Sequence, residues 1–436
     1  MNSANPRKTL LTWAVGIFLL KLIIIGNLEG GAWLGADGEN YISGFDSLIT
    51  NGIFSEDSKL TYWPAGYPLF ILLLSILGKS FVFTTLSIVQ SAIFSFAACF
   101  FALQLIRTRL KPYANLIFLL IILNPTLSLS SYVVGYESLA ASGYLIAVSI
   151  IMKSFIDTSR KPLIYYVSLT SLVFSAISFV QPRFLLSALL ISALWIFIKS
   201  PWKTGSLLIL FSVIITLFLP ATLVYRNIKA VDLISISTNL GGTMSIGSGD
   251  QADGSYNPSF SGPPCILAGS ESQMDNQRVI CALDWYLSNP IKSAKLFFNK
   301  SKYFWSPWVG PLENGTMARN PSLPIHPIDS IRKTPDGHKL VYGSLGKLIS
   351  WAWMLTGIGF LFFGFTVLWK MKSLERFIGS VAAIAVCSSW LISLLTIGDH
   401  RFRLPIMGMS LFLQAVGIRT LFKGGKPPMV DGPGLR

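Results

Sequence analysis

The acidic side chains of the chain are concentrated in one short segment. From Glu29 to Phe70 there are six carboxylates and a single cation, Lys59. Asp37 lies in this segment with Tyr41 at i+4, and a carboxylate beside an apolar pocket is suited to general-base catalysis because burial and nearby charges tune its proton affinity. Glu39 adds an Asp-x-Glu pair with the chemistry to hold a divalent metal. The alternative for Asp37 is a helix N-cap or a solvated loop acid.

Basic side chains at the ends of apolar runs form a second group. Arg226 follows one long run, and "GDHRFRLP" places His400, Arg401 and Arg403 immediately before another. Arginine binds phosphate oxygens in a forked geometry, so these arginines predict a phosphate site. Arg183 is a third candidate. The alternative for each arginine is an anchor at the membrane interface.

Further polar and aromatic residues belong to the same predicted pocket. Glu137 in "VGYESLA" stands at the edge of an apolar helix, where an ionisable residue indicates a functional site. The aromatic cluster Tyr62, Trp63, Tyr67 and Phe70 lines a groove or, alternatively, forms an interfacial aromatic belt. The candidate pocket residues are Glu39, Tyr41, Lys59, Tyr62, Tyr67, Glu137, Arg183, Asn227 and His400.

The cysteines and histidines show no metal-binding spacing. Cys99 and Cys387 lie in apolar runs, whereas Cys265 and Cys281 share one loop, and the sequence leaves open whether that pair forms a disulfide. The three histidines, His326, His338 and His400, are scattered and form no zinc motif.

Composition indicates an integral membrane protein. Of the 436 residues, 52% are hydrophobic and only 13% are charged, and the mean hydropathy is +0.58. The net charge of +15 does not indicate nucleic-acid binding, because the cations cluster in short links between apolar runs. The first run, Leu10 to Ile25, is interpreted as a retained helix rather than a signal peptide, since no small-residue cleavage site follows it and many more spans come after it.

The apolar runs predict an all-α polytopic bundle of about ten or eleven transmembrane helices. The run Pro68 to Leu77 is too short for a full crossing and is interpreted as a partial or tilted helix. The predicted spans are 10–25, 81–106, 113–123, 136–152, 163–180, 184–198, 205–224, 343–369, 377–397 and 404–422.

Short Lys/Arg-rich links orient the array, because such loops stay cytoplasmic. Both termini are then cytoplasmic, and two larger segments, 27–67 and 226–342, lie on the outer face. We predict three regions: an N-terminal membrane module (1–225) with a catalytic first outer loop (27–67), an outer loop (226–342), and C-terminal transmembrane helices (343–436).

The outer loop contains two predicted helices broken at Asn289-Pro290. The second helix mixes aromatic residues with lysines, a pattern typical of a helix lying in the membrane interface with its lysines under anionic headgroups. These residues are Lys292, Lys295, Phe297, Phe298, Lys300, Lys302, Phe304 and Trp305.

Six ordered segments resemble the polytopic GT-C glycosyltransferases, in particular the family of protein O-mannosyltransferases and lipid A aminoarabinose transferases. They are "GADGENY", "YWPAGYPLF", "GYESL", "YRNIKAVDLISISTNLGGTMSIGSG", "ALDWYLSNPIKSAKLFFNKSKYFWSP" and "DHRFRLPI". The chain departs from the family pattern at Gly38, where an acid often follows the first-loop aspartate, at Ala65 in place of a proline, and at Phe402 in place of a tyrosine.

The resemblance implies a GT-C-like bundle that transfers one sugar, with inversion, from a polyprenyl-phosphate donor to an acceptor hydroxyl of a lipid, glycan or protein. In that interpretation Asp37 is the general base, and Arg226, Arg401 and Arg403 bind the donor phosphate. No cofactor is required, although a metal held by Asp37 and Glu39 is an alternative.

Two other functions remain open at this stage. A polymerase or ligase of lipid-linked glycans would also use outer-face arginines, whereas a lipid-sugar flippase would need polar positions near the middle of the bilayer and internal repeats. The expected location is the bacterial inner membrane, with the active site on its periplasmic face and no nucleic-acid partner.

Overall fold

The structure, a computed structural model, describes seven parts of the chain. They are residues 5–35, 37–157, 161–256, 262–306, 334–336, 343–371 and 374–422. His326 and His338 lie outside these described residues.

The described residues are almost entirely helical. The helices before the central loop are α1 (Pro6–Gly26), α2 (Gly38–Asn51), α3 (Gly66–Ser75), α4 (Val82–Leu105), α5 (Ala114–Ile122), α6 (Pro125–Ser130), α7 (Glu137–Ile156), α8 (Leu163–Val180), α9 (Leu185–Lys199) and α10 (Trp202–Val231). The remaining helices are α11 (Asn239–Ile246), α12 (Glu271–Ser288), α13 (Pro290–Phe304), α14 (Ser344–Lys370), α15 (Leu374–Leu395) and α16 (Met407–Phe422). Five short 3₁₀ helices are Ser58–Leu60, Lys79–Phe81, Lys111–Tyr113, Pro182–Phe184 and His400–Ile406.

Within these parts of the chain, nine helices are long and apolar enough to cross a membrane: α1, α4, α7, α8, α9, α10, α14, α15 and α16, three of them extended at their start by a 3₁₀ turn. The prediction of an all-α polytopic membrane protein is confirmed. About ten or eleven crossings were predicted; Gly66–Ser75 is the expected short helix, and the predicted span 113–123 is also a short apolar helix, Lys111–Ile122. At 1.5 Å per residue, neither reaches across a hydrocarbon core of about 30 Å.

A polar seam on the buried face of α4 fixes the chain that precedes α7. The Gln90 side-chain amide donates to the carbonyls of Ser131 (3.4 Å) and Val133 (2.9 Å) and accepts from the Tyr67 hydroxyl at 3.1 Å. The Lys21 ammonium of α1 donates to the Ser128 carbonyl at 2.7 Å. Because these groups are buried, the bonds satisfy carbonyls in the last turn of α6 and in the irregular backbone between α6 and α7.

Two short strands connect this seam to the first loop. β1 (Trp33–Leu34) pairs in parallel with β2 (Val133–Val134). A Cβ added at Gly35 would lie 2.6 Å from the Val134 carbonyl oxygen, and one at Gly38 would lie 3.2 Å from the same atom. The glycines of "GADG" therefore permit a close approach of the two backbones, which places Asp37 beside the start of α7.

The helices of the central loop form a small lobe at the end of α15. Cys265 and Cys281 form a disulfide, with their Cα atoms 5.9 Å apart. The fully buried Lys300 ammonium donates to the Tyr286 hydroxyl at 2.7 Å and to the Leu394 carbonyl at 2.8 Å. Lys300 therefore joins α13 to α12 and to α15. We call the ends of the bundle that carry this lobe and residues 27–67 the loop face.

Replacement of Gln90 by Leu tests the polar seam. We expect Gln90→Leu to lower the free energy of unfolding by about 2 kcal/mol, because it removes the partners of buried backbone carbonyls. Thermal unfolding in detergent measures the change. Gln104→Leu on the same helix is the control: within the described residues the Gln104 Oε1 atom has no hydrogen-bond partner, so this change is expected to be neutral or stabilising. Equal losses in the two variants would contradict the role of Gln90.

The buried Lys300 is expected to make the stability of the protein depend on pH. Burial lowers the pKa of Lys300 from 10.5 to about 7. Between these values the unfolded chain binds more protons than the folded chain, so the Lys300 contribution to stability rises with pH in this window and is lost as pH falls towards 7. The Tm of the wild-type protein, measured relative to the Tm of Lys300→Met, is therefore expected to rise from pH 7 to pH 9. The exposed neighbour Lys302, changed to Met, is expected to show a pH-independent offset.

Candidate functional site

The centre of the candidate site is an ion pair between Asp37 and Arg401. The Arg401 Nη1 atom donates to Asp37 Oδ2 at 2.9 Å, and both side chains are mostly buried. Asp37 occupies the N-cap position of α2, yet its side chain makes no capping hydrogen bond. Its carboxylate is turned towards the 3₁₀ helix that begins the last membrane span, and among the hydrogen bonds of the described residues none goes to Oδ1. This oxygen is the one available to a ligand.

A second carboxylate and two tyrosines surround the ion pair. Glu137, the first residue of α7, interacts electrostatically with Arg401, Asp37 and Arg183. The Tyr41 hydroxyl is buried and has no hydrogen-bond partner in the described chain. Burial raises the pKa of Tyr41, and the charges of Asp37 and Glu137 raise it further, so this hydroxyl stays protonated and is a potential donor to a ligand.

Arg183 forms one wall of the site. Its guanidinium carbon lies 3.6 Å from the centroid of the Phe402 ring, a cation–π contact. Its Nε atom is buried and has no hydrogen-bond partner in the regions described. Arg183 also interacts with Tyr136, whose pKa burial raises. The guanidinium is thus held by its face while its edge remains available for an anion.

Asp399 fixes the turn that carries Arg401. Its Oδ1 atom accepts from the Arg401 backbone N–H at 2.8 Å and so caps the 3₁₀ helix His400–Ile406. His400 Nδ1 lies 3.7 Å from the same Asp399 oxygen. Asp399 and Tyr136 were not predicted as site residues, although Asp399 lies in the motif "GDHRFRLP" and Tyr136 in the motif "VGYESLA".

Arg403 lines a cavity of about 70 Å³. Arg403 donates to the Ser306 carbonyl at 2.6 Å and to the Met354 sulfur at 3.1 Å, and its Nε atom has no partner within the described parts. The cavity lies between one face of α16, one face of α14 and the end of α13. Its lining residues are Asn124, Trp305, Trp353, Met354, Gly357, Arg403, Met407, Ser410, Leu411 and Gln414.

This cavity, which we call the groove, is lined from Arg403 at the loop face along the first turns of α16. Its α16-side residues repeat at helical spacing, from Arg403 through Met407 and Leu411 to Gln414. One charged group therefore stands at the loop-face end, and mostly apolar side chains follow along the span. The order of charge and apolar surface along it is that of an amphiphile with an anionic head.

Arg226 clamps the first loop. Its guanidinium donates to the backbone carbonyls of Ile53 (3.0 Å), Ser55 and Leu60 (3.2 Å), and to the Asn227 side chain at 2.8 Å. These four bonds use most of its five N–H donors. The predicted phosphate-binding role of Arg226 gains no support from these contacts. The sequence could not reveal them, because the carbonyls come from a loop that folds back over the end of α10.

Other predicted pocket residues also have structural partners. Asn227 donates to the carbonyls of Ser235 (2.9 Å) and Ile236 (3.0 Å). The Lys59 ammonium donates to the Asn40 side chain at 2.7 Å. These bonds hold the first and central loops in place beside the Asp37–Arg401 pair.

The aromatic cluster is divided between the core and the rim of the site. The Tyr67 hydroxyl accepts from the Gly135 N–H at 2.8 Å and is fully buried, so Tyr67 supports the β2 segment. Tyr62 is half-buried between the two loops and makes an edge contact with Trp63, with ring centroids 5.2 Å apart. Burial raises the pKa of Tyr62, and the charges of Asp275 and Asp37 contribute.

Glu39 is exposed on the first turn of α2. Among the residues that the structure describes, no group of three or more His, Cys, Asp or Glu side chains is arranged to hold a metal ion. Asp37 and Glu39 are therefore not joined there by a third ligand of these types.

Comparison with known proteins gives one structural likeness. No family model matches the chain, and no curated protein matches it. The archaeal oligosaccharyltransferase AglB from Archaeoglobus fulgidus, solved in complex with an inhibitory peptide and a dolichol-phosphate, aligns with a TM-score of 0.47 and 12% sequence identity. The alignment covers 94% of this chain and 50% of AglB, so the chain spans about half the length of that protein.

Arg226 is predicted to act as a structural clamp. Arg226→Lys replaces a fork that reaches three carbonyls with a single ammonium, and we expect the local opening of residues 53–60 to become about thirtyfold more favourable, equivalent to about 2 kcal/mol. Hydrogen exchange of these residues measures the effect. Lys229→Gln, at an exposed position on the same helix, is the matched control. Unchanged exchange in Arg226→Lys would contradict the clamp and favour a ligand role.

Proposed function

We propose that the chain is an inverting glycosyltransferase that moves one sugar from a polyprenyl-phosphate donor to an acceptor hydroxyl at the loop face. The observation that carries the proposal is the pairing of Asp37 with Arg401 beside a groove headed by Arg403. The six sequence segments that resemble the GT-C glycosyltransferases support the same reaction class. Two of these segments contain the paired residues: "GADGENY" contains Asp37 and "DHRFRLPI" contains Arg401.

Asp37 is assigned as the general base. Arg401 holds Oδ2 and thereby fixes the orientation of the carboxylate, which leaves Oδ1 to receive a proton from the acceptor hydroxyl. Base catalysis by a positioned carboxylate contributes about 10²- to 10⁴-fold. The ion pair gives Arg401 a positioning role in place of the phosphate-binding role expected from the sequence.

Arg403 is assigned to the donor phosphate. A long isoprenoid tail must remain in an apolar environment while its phosphate reaches the site, and the groove along α16 offers both environments in continuity. Arg403 is held by the Ser306 carbonyl and the Met354 sulfur, so its charge is pre-positioned and costs little reorganisation during the reaction.

The reaction then consists of one displacement. The acceptor oxygen attacks the anomeric carbon as its proton passes to Asp37, and the bond from that carbon to the phosphate oxygen breaks with both electrons leaving on the phosphate. Arg403 stabilises the negative charge on the departing phosphate. We assign Arg183 to the same phosphate as a second cation, because the edge of its guanidinium is available. The buried Tyr41 hydroxyl is assigned to a sugar or acceptor hydroxyl. This chemistry needs no cofactor.

The proposal implies a membrane-embedded donor and an acceptor that arrives from the aqueous side. We assign the loop face to the periplasmic side of a bacterial inner membrane, because the described basic residues Arg107, Lys153, Lys199 and Lys370 lie at the opposite ends of their spans. The acceptor is a lipid, glycan or protein that presents a nucleophilic hydroxyl.

Substitution at Asp37 tests the proposal. The assay uses purified full-length protein, a panel of polyprenyl-phosphate sugars and membranes of a strain that lacks the gene as the source of acceptor. Release of polyprenyl phosphate is expected to fall about 10²- to 10⁴-fold in Asp37→Asn, because the base is lost. Glu39→Gln, an exposed acid two residues away, is the charge-matched control and is expected to keep activity.

The donor assignment has a separate readout in the same assay. Arg403→Lys is expected to raise the donor KM about tenfold, since the fork of the guanidinium onto the phosphate is lost. Full turnover in Asp37→Asn would remove the base from the mechanism, and an unchanged donor KM in Arg403→Lys would place the phosphate elsewhere.

A further inference from the structure

Helix α13 has one buried face and one exposed face. Ser293, Leu296, Lys300 and Phe304 are buried against the rest of the lobe. On the opposite side two large apolar residues are exposed, Ile291 at 85% and Phe298 at 72% of their surface. Lys292, Lys295 and Lys302 are exposed on the same helix. The exposed face of α13 therefore combines bulky apolar side chains with cations.

The contacts of α13 place this helix at the end of a membrane span. The Trp390 indole N–H of α15 donates to the Ser301 hydroxyl at 3.1 Å, and the Lys300 ammonium donates to the carbonyl of Leu394, one residue before the end of α15. Since α15 is one of the membrane spans, α13 lies against the terminus of a span, at the depth of lipid headgroups.

The charges of the exposed face are of one sign. The helix contains four lysines and no acid. Lys292 is paired with Asp250 at 2.8 Å. Lys295 and Lys302 take part in no ion pair within the described residues, so their charges are available. Lys300 and Phe304 belong to the predicted interfacial helix, but they are buried and do not contribute to its exposed face.

We propose that the exposed face of α13 binds an anionic phospholipid of the surrounding bilayer. The ammonium groups of Lys295 and Lys302 contact the phosphate of the headgroup, and Phe298 and Ile291 enter the adjoining acyl region. The exposed apolar side chains select a membrane lipid over a soluble phosphate, because a free phosphate would leave them in water.

This lipid site lies on the helix that leads to the groove. Residues Trp305 and Ser306 follow α13 directly; Trp305 lines the groove, and the Ser306 carbonyl accepts from Arg403. A lipid bound to α13 therefore restrains Ser306, whose carbonyl holds Arg403 in position. The binding itself does not depend on the proposed glycosyltransferase activity and is measured without it.

Photocrosslinking tests the site. Full-length protein in neutral mixed micelles is incubated with a photoreactive phosphatidylglycerol, and crosslinks are mapped by peptide mass spectrometry. We expect crosslinks on α13 that unlabelled phosphatidylglycerol displaces better than phosphatidylcholine and that glycerol 3-phosphate does not displace. Each lysine near anionic lipid contributes about 1 kcal/mol, or about fivefold in affinity, so Lys295→Gln with Lys302→Gln should weaken binding about 25-fold at low salt.

The matched control is the double variant Asp250→Asn with Lys292→Gln. It removes a lysine from the same helix together with its acidic partner, so net charge is unchanged, and it is expected to bind as the wild type does. Phe298→Ser is expected to reduce crosslinking while the protein stays folded by thermal unfolding. Three results would each overturn the proposal: equal displacement by phosphatidylcholine, displacement by glycerol 3-phosphate, or wild-type binding by the variant that lacks Lys295 and Lys302.

Discussion

The ion pair between Asp37 and Arg401 is the contact that organises the candidate site. The two side chains are mostly buried, so each charge is costly to leave without the other. The pair joins the first loop to the turn before the last membrane span, which are 364 residues apart in the chain. Around the pair lie Glu137, Arg183, Tyr41 and Tyr136.

Each half of the pair is positioned by its own local structure. On the Asp37 side, glycines allow β1 to approach β2, and the polar seam of α4 holds β2 in place. On the Arg401 side, Asp399 caps the 3₁₀ helix and the Phe402 ring packs on Arg183. Residues two apart on a 3₁₀ helix point in different directions. One short turn can therefore present Arg401 to the carboxylate and Arg403 to the groove.

Much of this architecture is predictable from the sequence, because long apolar runs determine where membrane helices form. The spans, the short helix near Pro68 and the two helices broken at Asn289-Pro290 follow from that pattern. The partners of the charged residues are not predictable in the same way. Arg226 and Lys300 both look like interfacial cations in sequence, yet each is buried on carbonyls contributed by distant segments. Likewise the Cys265–Cys281 bond depends on a loop path that spacing does not determine.

The separation of 364 residues between the paired charges also sets the order in which the protein is built. A ribosome delivers Asp37 to the membrane 364 residues before its counter-ion Arg401. Until then the carboxylate sits at the edge of an unfinished bundle without compensation. A product released before residue 401 lacks Arg401 and cannot form the ion pair, so the site assembles only after the last membrane span described here has begun to be made.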